Sequence, residues 1–244
     1  MELHLAVKIA IQFFADWVKA EPIRELRVPP RVAGEVFRID AAADQDGISI
    51  GGWEVYGGKK PEEARWFSVK VTRKVCPWLY LKGEPFRTIA AAELLAVTVA
   101  VVIFGKEAGW RGADGRFTIS GFTDNSSNTF VVDKFLTTKF PVSLVLMELA
   151  YQLASLKANL SLQWIPREQN EEADDLSKER FDRFDPAKRI EVDLEDIGFK
   201  VIPRLAEVAG QLDEEIRLRK TSKKEAVATQ KTPAEEKLRM TQPW

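Results

Sequence analysis

Apolar residues recur along this chain with two different periods, one typical of strands and the other of helices. From Gly34 onward, apolar and polar positions alternate through the segments "EVFRIDAAA", "GISIGGWEVY" and "RWFSVKV". Short breaks containing glycine, aspartate or proline separate these segments, so the pattern predicts three strands of an antiparallel meander. Alternation returns in "RFTISGFTD" and "LSLQWI", which predict a fourth and a fifth strand.

Helical spacing occupies the intervals between the later strands. The segment "TIAAAELLAVTVAVVIF" is apolar on nearly every side, which predicts a buried helix. "SSNTFVVDKFLTT" predicts a helix with a serine cap, "SLVLMELAYQLASLKAN" predicts another, and Asn170 is expected to cap a short helix through Lys178. The order β-β-β-α-β-α-α-β-α predicts an α/β fold in which a mixed five-stranded sheet is flanked by helices.

Changes in the pattern divide the chain into four segments. Residues 1–33 predict an amphipathic helix followed by a proline-containing linker, and residues 34–180 contain all the predicted strands. Residues 181–220 are expected to form a helical C-terminal extension, and residues 221–244 are expected to be a disordered charged tail. The helix of the extension is predicted from apolar residues on one helical face, namely Leu205, Val208, Ala209, Leu212 and Ile216.

The composition of the chain excludes several classes of binding and catalytic site. The 244 residues carry 36 Lys plus Arg and 37 Asp plus Glu, so the formal charge of −1 does not suffice to hold nucleic acid by charge alone. Cys76 is the single cysteine and His4 the single histidine, which excludes thiolate zinc clusters and histidine-based triads. The amino-terminal segment is a poor signal peptide and we find no predicted membrane span, so an intracellular location, not secretion, is expected.

Three acidic residues stand where apolar residues are expected. Glu93 is the only charged side chain from Ile89 to Phe104, Asp40 lies within the first strand, and Asp124 ends the fourth. Each has an ordinary structural alternative, respectively a salt bridge, an edge position facing solvent, and a helix cap. Their elements are expected to be neighbours, however. Carboxylates that converge without histidine or cysteine are what Mg²⁺ or Mn²⁺ requires, and two such ions can support in-line phosphoryl displacement.

Four segments in order resemble the signature blocks of ribonuclease H domains. They are "FRIDAAADQDGISIGGWEV", "AAELLAV", "GFTDNSSNTFVVDKF" and "WIPREQNEEADDLS", and the likeness is greatest to the domains that follow the reverse transcriptase in gypsy-like and DIRS-like retrotransposons. The resemblance implies a ribonuclease H-like fold over residues 34–180 and a catalytic set of metal ligands, Asp40, Glu93, Asp124 and Asp174. It also implies two Mg²⁺ or Mn²⁺ ions, an RNA–DNA hybrid as substrate, and a reverse transcriptase domain in cis or in a parent polyprotein.

The adjacent acids Asp174 and Asp175 are not distinguished by periodicity, since both lie at a similar angle from the inward direction of a helix. The resemblance selects Asp174, because the family's ligand directly follows the alanine of the last block. Asn125 and Ser126 are candidate nucleic-acid contacts at a helix N-terminus, with helix capping as the alternative. Arg167 is a candidate phosphate contact, although exposed arginines are common.

The expected activity is metal-dependent endonucleolytic hydrolysis of the RNA strand of RNA–DNA hybrids during reverse transcription. Two alternatives belong to other classes: a catalytically silent binding or scaffold module with this fold, and a DNA-directed nuclease of the same fold. The sequence also departs from the family pattern in one respect. Many ribonucleases H carry a histidine in the loop before the last block, whereas this chain has Trp164 or the "PREQN" loop there.

Overall fold

The computed structural model describes residues 5–20, 31–45, 47–81, 85–105 and 117–230. Within these ranges the chain forms five strands and six α-helices, joined in places by short 3₁₀ turns. The strands are β1 (Arg31–Asp44), β2 (Gly47–Glu54), β3 (Trp66–Val71), β4 (Phe117–Thr123) and β5 (Ala158–Trp164). The helices are α1 (Leu5–Ala20), α2 (Ile89–Gly105), α3 (Ser126–Lys134), α4 (Val142–Ser155), α5 (Glu171–Ser177) and α6 (Ile202–Gln230).

The five strands form one mixed sheet in the order β3-β2-β1-β4-β5. The β1–β2 and β2–β3 pairs are antiparallel, as a meander requires, whereas β1–β4 and β4–β5 are parallel and are joined through helices. Parallel neighbours need crossover connections, and α2 and the α3–α4 pair supply them here. The predicted fold class, a mixed five-stranded sheet flanked by helices, is confirmed.

The main core lies on the face of the sheet that α2 covers. This helix contacts β1, β2 and α4, and nearly all of its side chains are buried, as its apolar sequence predicts. The segment Phe86–Gly105 is long and apolar enough to cross a membrane, but 83% of its most apolar window is buried inside the protein. Ile48 and Ile50 of β2 point into this core.

A smaller core lies on the opposite face, because side chains alternate along a strand. Trp53 and Trp66 contribute to it from the sheet, and α5 contributes Ala173 and Leu176. Gly51 allows α5 to approach closely, since a Cβ at this glycine would lie 2.6 Å from backbone atoms of residues 176 and 177. Helices therefore cover both faces, and α5 sits directly over β1 and β2.

The C-terminal extension packs against the sheet and the main core. The amide N–H of Ile190 donates to the carbonyl oxygen of Trp66 at 2.7 Å, and Phe184 packs on the Trp66 ring. The predicted helix is present as α6, which buries Leu205, Ala209 and Leu212 in the main core. It continues to Gln230, so residues 221–230, predicted to be disordered, are helical instead. Residues 231–244 lie outside the described part of the chain.

The amino-terminal helix α1 packs against the main core and against α6. Ile9 and Phe13 of α1 are buried in the main core, and Asp16 pairs with Arg204 of α6 at 2.8 Å. The predicted amphipathic helix is therefore confirmed, whereas most of the linker predicted after it, residues 21–30, lies outside the described residues.

Two predicted helix caps are wrong in detail. Asn125, not a serine, caps α3, and its side-chain oxygen accepts from the amide N–H of Asn128 at 3.1 Å. Asn170 occupies the cap position of α5 but makes no cap hydrogen bond, because its side-chain amide donates to the carbonyl oxygen of Ile39 at 3.0 Å. Asn170 therefore ties the loop before α5 to β1.

Candidate metal centre

Two of the four predicted acids reach the site from adjacent parallel strands. The β1–β4 register pairs Arg38 with Phe122, so Asp40 and Asp124 lie level with each other two residues further along. Asp40 is buried within β1, and Asp124 directly follows the last residue of β4. Because neighbouring parallel strands run in the same direction, their side chains at one level face a common space.

Glu93 reaches the same space from α2. Glu93 is only 6% exposed, and it is the only charged residue of α2. The Thr123 hydroxyl lies 3.4 Å from a Glu93 carboxylate oxygen, and the Asn125 side chain also hydrogen-bonds it. These contacts orient the carboxylate, but they do not bring a positive charge to it.

The three carboxylates together form a site suited to a divalent cation. One oxygen from each of Asp40, Glu93 and Asp124 can be chosen so that all lie within 4.8 Å of one another. The donor set contains only oxygen, and hard cations such as Mg²⁺ and Mn²⁺ prefer such ligands. The residues therefore fit the class of divalent cation predicted from the sequence.

Burial and mutual repulsion shift the proton equilibria of this cluster. Burial raises the pKa of Asp40 to about 6, with further increases from the charges of Asp124 and Asp174. Burial raises the pKa of Glu93 to about 8, again with the other carboxylates adding to it. The pKa of Asp124 is also raised, mainly by burial. The positive charge of Arg167 acts to lower this pKa but does not outweigh the effect of burial. Without a cation, the raised pKa therefore leaves Glu93 largely protonated at neutral pH, as expected when like charges are held together.

Asp174 lies beside this cluster rather than within it. Its charge acts on both Asp40 and Asp124, which shows that α5 brings it close to them. Its carboxylate is held by three basic side chains: Arg167 at 2.6 Å on Oδ1, and Lys178 at 2.7 Å and Arg180 at 3.0 Å on Oδ2. Burial acts to raise the pKa of Asp174, but the hydrogen bonds from Lys178 and Arg167 outweigh it and leave the pKa below its ordinary value.

Asp175 faces a different set of neighbours. Its carboxylate pairs with Arg180 at 2.8 Å and with Arg183 at 3.5 Å, and it is more exposed than Asp174. The two adjacent aspartates are thus distinguished by the structure: Asp174 lies next to the carboxylate cluster, and Asp175 lies among the arginines that follow α5. The metal-ligand role of Asp174 stays a prediction.

The predicted nucleic-acid contacts lie around the same site. The Asn125 side chain is engaged in capping α3 and in its bond to Glu93, which agrees with the capping alternative. Ser126 is exposed in the first turn of α3, and Arg167 is exposed in the loop before α5. Nothing in the structure tests whether these three bind nucleic acid, so they remain predictions.

Comparison with known proteins finds similar solved structures, which decide neither the fold nor the activity of this chain. The chain matches no protein-family model and no curated protein sequence. Among solved structures, ribonuclease H1 of Halobacterium salinarum NRC-1 is 20% identical over 61% of this chain and 98% of its own, with a TM-score of 0.39.

Two further structures match similar parts of the chain. LC11 ribonuclease H1, solved in complex with an RNA/DNA hybrid, is 19% identical over 60% of this chain and 95% of its own, with a TM-score of 0.43. The N-terminal ribonuclease H domain of a Mycobacterium tuberculosis protein, solved as a fusion with maltose-binding protein, is 18% identical over 61% and 95%, with a TM-score of 0.35.

The fold class, a mixed five-stranded sheet flanked by helices, is established by the chain's own strands and helices. That assignment agrees with the strand order and with the antiparallel and parallel pairs observed in this chain. Identities of 20% or less do not decide the activity of this chain. The chemistry must therefore be argued from its own side chains.

Two side chains that contact the predicted ligands were given no role from the sequence. Ser177 ends the "ADDLS" block, and its hydroxyl oxygen lies 2.6 Å from Asp40 Oδ2 and 2.9 Å from the carbonyl oxygen of Asp174. Trp164 is 53% exposed, and its indole N–H donates to the carbonyl oxygen of Asp124 at 2.9 Å. The position of Ser177 within the last sequence block was a signal for it, whereas Trp164 was noted at the position of the family's loop histidine.

Proposed function

We propose that this chain is a divalent-metal-dependent endonuclease that hydrolyses the RNA strand of RNA–DNA hybrids. One observation carries the proposal: Asp40 and Glu93, which are buried, and Asp124, which is half-buried, come from three different elements and converge so that one oxygen of each lies within 4.8 Å of the others. Placing carboxylates together in a poorly solvated space is costly unless a cation accompanies them, so this arrangement favours a bound divalent cation.

Asp40, Glu93 and Asp124 would hold the metal, with Asp174 joining them on the side of α5. A divalent cation bound there supplies charge neutralisation at a phosphodiester and lowers the pKa of an attacking water, and a second ion can stabilise the leaving oxygen. The chain's own groups orient the carboxylates. The Ser177 hydroxyl fixes Asp40, and the Thr123 hydroxyl and the Asn125 side chain fix Glu93.

Substrate recognition is proposed to combine phosphate contacts with recognition of the ribose. Arg167 lies in the exposed loop beside the site, where its guanidinium can donate to a phosphate in a bidentate manner. Ser126 is exposed at the start of α3, where backbone N–H groups favour an anion and the hydroxyl can contact a 2′-OH. Recognition of the 2′-OH is what separates RNA from DNA at such a site.

The wider context is also proposed rather than observed. The four sequence blocks resemble domains that follow reverse transcriptases, so we propose that the chain serves reverse transcription inside the cell, linked to a polymerase domain or derived from a common polyprotein. Co-purification of a polymerase-containing precursor with this chain from its native host would support that context. Recovery of a transcript that encodes this chain without any polymerase would contradict it.

The test of the activity is cleavage of an end-labelled RNA–DNA hybrid with Mg²⁺ or Mn²⁺, run beside duplex RNA, duplex DNA and single-stranded RNA. We expect cleavage of the RNA strand of the hybrid only. Asp40→Asn and Asp174→Asn should abolish it, and Asp175→Asn, the neighbouring aspartate that pairs with Arg180 and Arg183, should retain most of it.

The other outcomes select the alternatives. A folded protein that binds the hybrid without cutting it would be the silent module, and cleavage of duplex DNA would indicate a DNA-directed nuclease. Equal loss of activity in the Asp174 and Asp175 variants would contradict the assignment of Asp174 as the ligand.

A further inference from the structure

Asp174 accepts more positive charge than one carboxylate can neutralise. Three cationic groups converge on its two oxygens within 3.0 Å, from Arg167 before α5 and from Lys178 and Arg180 after it. Among the described ion pairs Arg180 also contacts Asp175, at 2.8 Å, and the charge of Arg167 also acts on Asp124. The rim of the site therefore places three basic groups on Asp174, directly beside the carboxylate cluster.

The three basic side chains are exposed although the carboxylate that they hold is not. The side chains of Arg167, Lys178 and Arg180 are 65%, 41% and 53% exposed, against 13% for Asp174. Because the basic ends of these ion pairs are exposed, water, salt and other anions can compete with Asp174 for them. A phosphate with several free oxygens can replace Asp174 as their partner, and arginine binds phosphate in a bidentate manner.

We infer that Arg167, Lys178 and Arg180 form a phosphate-binding rim whose hold on Asp174 is exchanged for the nucleic-acid backbone. In the free protein the rim engages both carboxylate oxygens of Asp174, so that neither is available as a metal ligand. When backbone phosphates bind the rim, Asp174 is released to act together with Asp40, Glu93 and Asp124. The inference rests on the proposed function, because it assumes that the carboxylate cluster binds a divalent cation.

If this exchange occurs, substitution of one rim arginine should change Mn²⁺ affinity and hybrid affinity in opposite directions. Removing a rim arginine takes a competing cation away from Asp174, so Mn²⁺ should bind the free protein more tightly. The same substitution removes a phosphate contact, so the hybrid should bind more weakly and with a shallower dependence on salt. A purely structural ion pair would produce neither the gain in metal affinity nor the change in salt dependence.

The experiment uses the full chain with Arg167→Gln and Arg180→Gln, and with Arg183→Gln as the matched control. Arg183 is a similarly exposed arginine near α5, but its contacts are to Glu171, Glu172 and Asp175, with none to Asp174 among the described ion pairs. Mn²⁺ binding to the free protein is measured by electron paramagnetic resonance of unbound Mn²⁺. Hybrid binding is measured in EDTA by fluorescence anisotropy over a range of salt concentrations, where no cleavage can occur.

We expect Arg167→Gln and Arg180→Gln each to tighten Mn²⁺ binding about threefold to tenfold and to weaken hybrid binding by a similar factor. Arg183→Gln should leave Mn²⁺ affinity within about twofold of the wild type. Unchanged or weaker Mn²⁺ binding in both rim variants would overturn the inference, as would unchanged hybrid binding.

Asp40→Asn distinguishes this failure from failure of the proposed function. If Asp40→Asn does not weaken Mn²⁺ binding, the carboxylate cluster is not the metal centre and both proposals fall. If Asp40→Asn weakens it and the rim variants do not tighten it, only the exchange at Asp174 is wrong.

Discussion

The attachment of the C-terminal helix to the body depends on one buried glutamate. Glu148 of α4 is fully buried, and its Oε2 accepts from the amide N–H groups of Lys200, Val201 and Ile202 at 2.8, 2.6 and 3.2 Å. Its other oxygen accepts from the Gln152 side chain at 2.8 Å. These backbone donors lie at the start of α6, where a helix leaves amide groups without partners and favours a negative charge.

Replacing Glu148 by alanine should therefore cost far more than an ordinary substitution. Buried N–H groups without partners cost about 1–3 kcal/mol each, and a carboxylate at a helix N-terminus contributes up to about 2 kcal/mol, although such terms do not add fully. We expect Glu148→Ala to lower the free energy of unfolding by about 4 kcal/mol and the melting temperature by roughly 10 °C. Glu148→Gln keeps an acceptor oxygen in place and should lose about 1–2 kcal/mol.

The assay is urea denaturation combined with hydrogen exchange of the α6 amides. Glu191→Ala serves as the control, because the Glu191 side chain is 84% exposed and its ion pair with Arg189 at 3.3 Å should contribute at most about 0.5 kcal/mol. A loss of less than about 1 kcal/mol in Glu148→Ala, with unchanged exchange protection at Leu205 and Ala209, would refute the reasoning.

Three further predictions concern the metal centre. Asp40→Asn should raise the thermal stability of the metal-free protein by about 1 kcal/mol, because it removes one of the repelling charges, while lowering hybrid cleavage at least about 100-fold. Because the pKa of Glu93 is raised to about 8, the metal-free folded state binds more protons than the unfolded chain above about pH 4.5. Its stability should thus fall by a few kcal/mol as pH rises from about 5 to 8, and melting curves of Glu93→Gln should show a much flatter dependence. Gly51→Ala should cost about 1–3 kcal/mol in chemical denaturation and also reduce cleavage, since its Cβ would push α5, and with it Ser177, away from the sheet.

Local sequence patterns sufficed to predict the strands of the sheet and the convergence of three of the four candidate acids. Alternation of apolar residues predicts the strands because one side of each faces a core, and the apolar run of α2 predicts its burial because the helix lies under the sheet. Asp40, Glu93 and Asp124 could be predicted as a group because each interrupts an apolar pattern or ends a strand, and burial makes such interruptions costly.

Contacts between distant segments could not be predicted in this way. The pairing of Arg167 and Arg180 with Asp174 depends on how the chain enters and leaves a seven-residue helix, which no periodicity encodes. The return of residues 181–201 over Trp66 depends likewise on tertiary packing. The continuation of α6 to Gln230 shows that helical structure can persist where apolar periodicity has ended.

Glu93 and Glu148 show where the reasoning from sequence reaches its limit. Each is the only charged residue of an otherwise apolar helix, so both give the same signal of a buried carboxylate. The Glu148 carboxylate accepts hydrogen bonds from three backbone N–H groups and one side-chain amide, which stabilise it in the core without a bound ion. Glu93 instead faces two further carboxylates and receives a 3.4 Å contact from Thr123 and a bond from Asn125. A buried acid surrounded by donors stabilises a fold, whereas one that faces other acids suits a cation, and for this reason we propose Glu93, and not Glu148, as a metal ligand.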